Sequence, residues 1–472
     1  MMSERLPQPP HLIASKRVRM KLGRESSWPA RCGGRVLPTP WPPGRYVVAV
    51  TAITVMADCN ALFGMDDLDY TPHGSGGSAA TGGAEPAGGG GAGGGAGGGG
   101  GTGAGGGAGG GGVEPTASEL ACGSTHTCAR KINGSLWCWG TGGDGELGDG
   151  TQTDRSSPVE VTALGTTVSA VTAGDYHTCA RKSDGSLWCW GANGTGQLGL
   201  GTVGQENSPV EVTALGNTVI AAAAGSQHTC AQKSDGSLWC SGGNGNGQLG
   251  DGTTVSTSSP IQVTALGHAV TTVAAGSFHT CARKNDGSLW CWGRNIEGQL
   301  GDGTTTSQSS PIEITALGHA VTTVAAGSFH TCARKSDGSL WCWGHNPSGQ
   351  LGDGSTTDKS SPIEVIALGN AVVAFAAGAQ HTCARSVDGS LACWGANEFG
   401  ELGDGTTTGT SSPVEVTALG NAVTTVAAGA MHTCARKSDG SLWCWGYDAF
   451  GQLGDGSTTN ESTPVAVSGS WP

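Results

Sequence analysis

Apolar and polar positions alternate with a period of two in short runs along most of this chain, and the runs recur at a constant distance. The stretch from Ser309 to Lys359 shows one cycle: a Pro-led alternating piece (PIEIT), a Val/Ala piece ending in Gly (VTTVAAG), a piece through Cys (HTCAR) and a Trp-rich piece (LWCWG). Leu-Gly, Gly-Ser, Ser-Asp-Gly and a longer Gly-rich loop separate these pieces, and all four are turn signals. No segment of the cycle has helical spacing long enough to form a helix of consequence. The tripeptide His-Thr-Cys begins at His126, His177, His228, His279, His330, His381 and His432, each 51 residues after the last.

Four strands per cycle and seven cycles predict an all-β fold, a seven-bladed β-propeller of four-stranded blades over residues 113–472. Pro158, Pro209, Pro260, Pro311, Pro362, Pro413 and Pro464 lead the alternating strands, so the first His-Thr-Cys hairpin has none before it and the last Pro-led strand has no hairpin after it. The expectation is that residues 464–468 pair with the N-terminal strands around Leu120, both chain ends completing the first blade and leaving no open sheet edge.

The region before the repeats has other characters. In residues 1–58 the only sustained apolar run, Tyr46 to Ala57, follows Arg45 and a basic leader. A bilayer crossing needs about 20 apolar residues, so the shorter run is expected to be the apolar part of an export signal. Met56-Ala57-Asp58-Cys59 resembles a lipoprotein cleavage motif, with Cys59 as the lipidation site and Asp58 where a small residue is usual. Residues 59–73 would then be a short mature N-terminus. Residues 74–112 hold 25 Gly, the rest mainly Ala, and are expected to be a flexible linker, because no side chain there offsets the entropy of ordering the backbone.

Glycine accounts for 86 of 472 residues, which excludes an ordinary single-core globule and suits a turn-rich repeat. Residues 1–58 carry nine Lys/Arg against three Asp/Glu, and the rest of the chain carries 15 against 34. An acidic body repels phosphate backbones, so no nucleic-acid partner is expected. The membrane would be met only through the lipid anchor, and the molecule is expected to be a monomer.

Each repeat has two cysteines ten residues apart, flanking an Asn-Gly or Asp-Gly turn: Cys128 and Cys138, Cys179 and Cys189, Cys230 and Cys240, Cys281 and Cys291, Cys332 and Cys342, Cys383 and Cys393, Cys434 and Cys444. In a hairpin with a three-residue loop such residues stand opposite each other, at a separation a disulfide can span. Seven cross-strand disulfides are the favoured reading. Seven pairs of buried thiols and a metal role remain open, although zinc prefers closer Cys spacing. Cys122 is left over, with Cys59 lipidated or else its partner.

Several residue types invite a chemical role. A His once per blade points to one local task done seven times, such as bonding a neighbouring strand, rather than to a catalytic centre. The Trp pairs, Trp290 and Trp292 for instance, are expected between blades. Asp302 and Asp353 could each ligate calcium, but one carboxylate in a loop falls short of the six or more oxygens required. No catalytic residue, metal site or cofactor is expected: no Ser/His/Asp set, paired carboxylates outside the repeat register or open metal site is recognisable.

AAGSFHT, DGSLWCWG and GQLGDG in the fourth repeat resemble the regulator of chromosome condensation repeat, and the resemblance covers residues 117–471. It implies a closed propeller, an architecture that also includes the secreted β-lactamase inhibitor protein II. The family's namesake is a guanine-nucleotide exchange factor that acts through an inserted wedge, for which seven equal intervals leave no room. A propeller hydrolase or lyase is a further alternative.

The most informative positions are those where the repeats differ. In an up-and-down blade, the turn before His and the loop after Trp-Gly emerge at one end, while Ser-Asp-Gly and Ala-Leu-Gly emerge at the other. The second end is nearly uniform. The first carries Tyr176, Gln227, Phe278, Phe329, Gln380 and Met431 before His, and Arg294, Ile296, Glu297, His345, Phe399, Tyr447 and Phe450 after Trp-Gly. Apolar and aromatic groups gathered on one rim, mostly in blades four to seven, are candidate anchors for a protein or cell-envelope ligand, against the alternative of free surface drift. The expected function is therefore an exported, non-enzymatic binding propeller.

Overall fold

A computed structural model describes residues 79–82, 119–469 and 471. The expected export segment, Cys59 and most of the Gly-rich stretch lie outside the described residues. From Leu120 onward the chain forms seven antiparallel sheets of four strands, each contiguous in sequence, arranged as the predicted propeller. In the fifth blade the inner strand is Val321–Ala326, followed by His330–Lys335, Leu340–Gly344 and the outer Lys359–Glu364. Between blades, the Thr-Ala-Leu-Gly segment closes as a single 3-10 turn, as at Thr315–Leu317, whose Leu is buried.

Two local devices set the hairpins. Asp337 Oδ1 accepts hydrogen bonds from both the backbone N–H and the hydroxyl of Ser339, and Gly338 between them takes φ +89°. That conformation suits Gly, since any Cβ there would also strike the Asn370 carbonyl. The resulting register places Cys332 opposite Cys342 and Ala333 opposite Trp341. All seven predicted Cys pairs are disulfides, so the thiol-pair and metal readings fall away for these residues.

The core lies between blades rather than within them. One cluster joins Cys281, Cys291 and Leu300 of the fourth blade to Val324, Ala333 and Trp343 of the fifth, and the pattern repeats around the ring. Each cystine thus forms an apolar wall on which the next blade's Trp packs. The second Gly of Gly-Gln-Leu-Gly has φ +73° at Gly352, and a Cβ there would meet the Trp394 indole nitrogen at 2.6 Å, which accounts for the motif.

Ring closure differs from the expectation. The last Pro-led strand, Glu461–Ala466, pairs with Leu442–Gly446 of its own blade, with Val465 opposite Cys444. The first blade is complete by itself, from Leu120–Cys122 to Arg155–Glu160. Among the described residues, no blade takes strands from both chain ends. Closure is made by side chains: Leu120, Ala129 and Trp139 of the first blade pack with Cys434, Cys444 and Leu453 of the seventh, and Val467 and Trp471 from the tail cover the junction.

A second difference concerns the Gly-rich stretch. Ala79–Gly82 forms a short strand antiparallel to the inner strand of the fourth blade, Ala79 opposite Ala275 and Gly82 opposite Thr272, giving that sheet a fifth member. Pairing to a free sheet edge draws on backbone groups alone, so side-chain poverty does not prevent it.

Candidate functional site

The seven histidines are fully buried structural groups. His279 Nε2 donates to Thr331 Oγ1 of the next blade at 2.8 Å, and Thr331 in turn donates to the Gln299 carbonyl at 2.8 Å. That carbonyl also accepts the indole N–H of Trp343 at 2.9 Å. The same His-to-Thr link occurs at all seven junctions and closes on itself through His432 and Thr127. The expected bond to a neighbouring strand is present, with a side-chain hydroxyl rather than the backbone as the immediate acceptor. Since the hydroxyl donates to a carbonyl, the imidazole is the neutral Nε2–H form. Burial, helped at several positions by the neighbouring His, pushes the pKa to about 3 or 4. A buried neutral base so placed orients blades; it is not poised for proton transfer near neutrality.

Two departures at the Gly-Gln-Leu-Gly position are among the buried acids that carry a pH signature. Gln197, Gln248, Gln299, Gln350 and Gln452 occupy the Gly-Gln-Leu-Gly position in five blades, and each is buried. Glu146 and Glu401 replace it in the first and sixth, accepting the backbone N–H of Asp144 at 2.8 Å and of Phe399 at 2.9 Å. Burial raises their pKa to about 8 and about 7. The folded protein therefore holds these protons above the unfolded value near 4.5, and stability declines as pH rises towards 8. The seven histidines act in the opposite sense, losing stability as pH falls below 6.5. Glu146→Gln and Glu401→Gln isolate the carboxylate contribution. Thermal melts should show each variant more stable than the parent at pH 8, by about 3 kcal/mol or more, with the difference fading towards pH 4.5.

The loops at the variable end are held together in pairs. The residue after Trp-Gly donates its backbone N–H to the residue before His in the same blade, as Arg294 does to Phe278 and Tyr447 to Met431. The two variable loops of each blade therefore lie side by side, and aromatic side chains from neighbouring blades meet in two places. Across blades four and five, Phe278 stacks on Phe329 with centroids 6.0 Å apart, His345 meets Phe329 edge-on at 6.1 Å, and Arg294 lies 5.2 Å over Phe329 while paired to Glu297. Across blades six and seven, Phe399 meets Tyr447 edge-to-face at 4.9 Å, and Tyr447 meets Phe450 at 6.2 Å. Met431 is half-buried and its carbonyl anchors Tyr447. Tyr176 in blade two and Ile296 in blade four are exposed and belong to neither ring cluster.

Glu401 accepts the backbone N–H of Phe399, and Asp448, next to Tyr447 in sequence, stands where five other blades have the buried Asn193, Asn244, Asn295, Asn346 and Asn397. Asp448 accepts the Leu453 N–H at 2.8 Å and is raised by burial to about 7. Glu401 and Asp448 were not among the predicted site residues. Their signal is the replacement of a repeated amide by an acid at constant spacing.

The Asp residues of the Gly-Asp-Gly turns are occupied locally. Asp302 accepts from the backbone and hydroxyl of Thr304 and from Asn295. Cys122 takes the place that Ala173, Ala224 and Ala275 hold in later blades; burial pushes its thiol up to about 12. Its sulfur lies within 4.8 Å of donor atoms of His432 and Cys434. Cys434 is disulfide-bonded to Cys444 and His432 Nε2 is held by Thr127, so the trio reads as packing at the ring junction.

The chain matches the RCC1-like domain over residues 110–422 and the regulator of chromosome condensation (RCC1) repeat over 423–452 and 439–470. It is 35% identical to the ultraviolet-B receptor UVR8 of Arabidopsis thaliana, over 74% of this chain and 81% of that protein. It is also 30% identical to the human E3 ubiquitin-protein ligase HERC2 over 71% of this chain, spanning only 7% of that much longer protein. Among solved structures, yeast RCC1 (Prp20), determined bound to Kap60, superposes with a TM-score of 0.64 at 22% identity, over 75% of this chain and 85% of Prp20. At that identity the likeness concerns the fold. From its repeats, its blade architecture and these matches, the chain belongs to the RCC1-like family of seven-bladed β-propellers.

Proposed function

We propose that this protein is an exported, non-enzymatic propeller that binds a partner protein through the aromatic rim of blades four to seven. The observation that carries the reading is the convergence of Phe399, Tyr447 and Phe450, which come from two blades and pack as one cluster on the end where the repeats diverge most. Aromatic groups fixed by their neighbours are efficient interface anchors, because little rotamer freedom is left to lose on binding. Seven cystines support residence in an oxidising compartment, in keeping with an apolar run and Cys59 serving as signal and lipid anchor. Relatives as different as a receptor and a ubiquitin ligase argue that the propeller supplies a scaffold, with activity decided by what its loops meet.

The test is capture on the immobilised full chain, comparing parent, a Phe399→Ala/Tyr447→Ala/Phe450→Ala variant and Lys182→Ala at the opposite end. A partner retained by the parent and by Lys182→Ala should be lost, by tenfold or more, with the triple variant. Undiminished capture by the triple variant would contradict the reading.

A further inference from the structure

We infer that the rim sector of blades six and seven takes a Lys/Arg-rich polypeptide segment, with Tyr447 and Phe450 as its aromatic platform and Glu398 as an exposed carboxylate partner. The inference rests on the rim reading above and assigns the chemistry of the partner.

Charge is the first argument. The seven loops between the third and fourth strands, from 141–154 to 447–460, contain fourteen Asp/Glu and a single Lys/Arg, Arg294. Arg294 is already paired to Glu297 at 2.6 Å. The two cations that border these loops are also engaged, Arg155 with Asp149 at 2.7 Å and Lys359 with Asp353 at 3.5 Å. The other twelve Lys/Arg after residue 58 sit where the His-Thr-Cys strands run out towards the opposite end, as Arg181 and Lys182 do. The described chain is thus electrically two-ended: its variable mouth is acidic, and the Lys/Arg groups there are spent on local acids. Such a surface draws in polycations and repels anions.

The second argument is where the repeat is broken. In blades six and seven the departures at the rim include aromatic and acidic residues: Phe399 and Phe450 where blades two, three and five have Thr195, Asn246 and Ser348, Tyr447 where blades two and six have Ala192 and Ala396, Glu401 for Gln, and Asp448 for Asn. Aromatic faces are negative, so they favour a Lys ammonium or an Arg guanidinium, Arg especially because it can also stack flat. Phe450 remains 37% exposed, and Glu398, next in sequence to the Phe399 that packs on Tyr447, is exposed, so the sector is open to a chain laid across it.

Fluorescence anisotropy on the full chain, with labelled oligolysine and oligoarginine as probes and oligoglutamate as control, tests the inference. The cationic peptides should bind, oligoarginine more tightly, with affinity falling as salt is raised. Tyr447→Ala/Phe450→Ala should weaken binding about tenfold and Glu398→Gln several-fold, while Lys182→Ala leaves it unchanged. Thermal melts should show every variant folded at the temperature of the binding measurement, with Tyr447→Ala/Phe450→Ala shifted most because Tyr447 is half-buried against Phe399. Absence of binding, or binding that the rim variants do not change, would overturn the inference. If the cationic peptides fail while capture of a partner still depends on Phe399, Tyr447 and Phe450, the rim reading survives and the cationic chemistry does not. If the peptides bind equally to the rim variants and instead lose affinity on Asp184→Asn and Asp235→Asn, the inference is overturned; if capture of a partner is also unchanged by the Phe399, Tyr447 and Phe450 substitutions, the rim reading falls with it.

Discussion

Reduced and alkylated at its fourteen paired cysteines, the protein should fail to refold. Each cystine closes a loop with a sequence separation of 10, which by the chain-entropy relation contributes about 2–3 kcal/mol against the unfolded ensemble. A whole domain is usually stable by only ~5–15 kcal/mol, so losing seven such constraints removes a quantity as large as the total. The effect is compounded by position. Cys281 and Cys291 form part of the wall on which Val324 and Trp343 of the next blade pack, and an alkyl group on either sulfur has no space in a fully buried cluster. The near-UV circular dichroism of the oxidised protein should vanish on reduction and alkylation in denaturant, and fail to return on dilution. A reduced chain that recovers the native spectrum would show that inter-blade packing alone suffices.

The second large effect is expected from Trp343→Ala. This ring is fully buried, and its N–H shares the Gln299 carbonyl with the Thr331 hydroxyl, which also holds His279. Truncation opens a cavity between blades four and five and costs about 3–5 kcal/mol in equilibrium unfolding. The third blade offers an internal comparison, because Ser241 stands where six blades have this Trp. Its junction with the second blade has the smaller cluster around Cys179, Cys189 and Val212, with Trp239 half-buried at the edge. Ser241→Trp should therefore not stabilise in proportion, since the neighbouring side chains have settled around the smaller residue. A loss below about 1 kcal/mol for Trp343→Ala would contradict the packing account.

Much of this architecture could be read from spacing. A two-residue alternation broken by Ser-Asp-Gly determines a hairpin, and the hairpin places Cys332 opposite Cys342 with little freedom. Constant 51-residue intervals likewise reveal seven equivalent modules and which loops share an end. Ring closure was illegible for a physical reason. A Pro-led strand lies in sequence between two Trp/Val segments and can pair with either, and the last junction is covered by Trp471, which has no counterpart in the repeat. The task of the histidines was half-visible. Recurrence excluded a single site, but the acceptor Thr belongs to the following blade and no local pattern points to it. The rim residues were found by their variation. Their meeting partners, Phe399 with Tyr447 across a blade junction, became identifiable only once the blades were placed side by side.

Hydrogen exchange measured on the full chain with and without oligoarginine tests most directly where this propeller recognises its partner. Protection on binding should appear in loops 396–409 and 447–460, and the Ser-Asp-Gly turns at 183–185 and 234–236 should exchange as before. Protection confined to those turns, with the loops unchanged, would contradict the assignment of recognition to the acidic aromatic mouth.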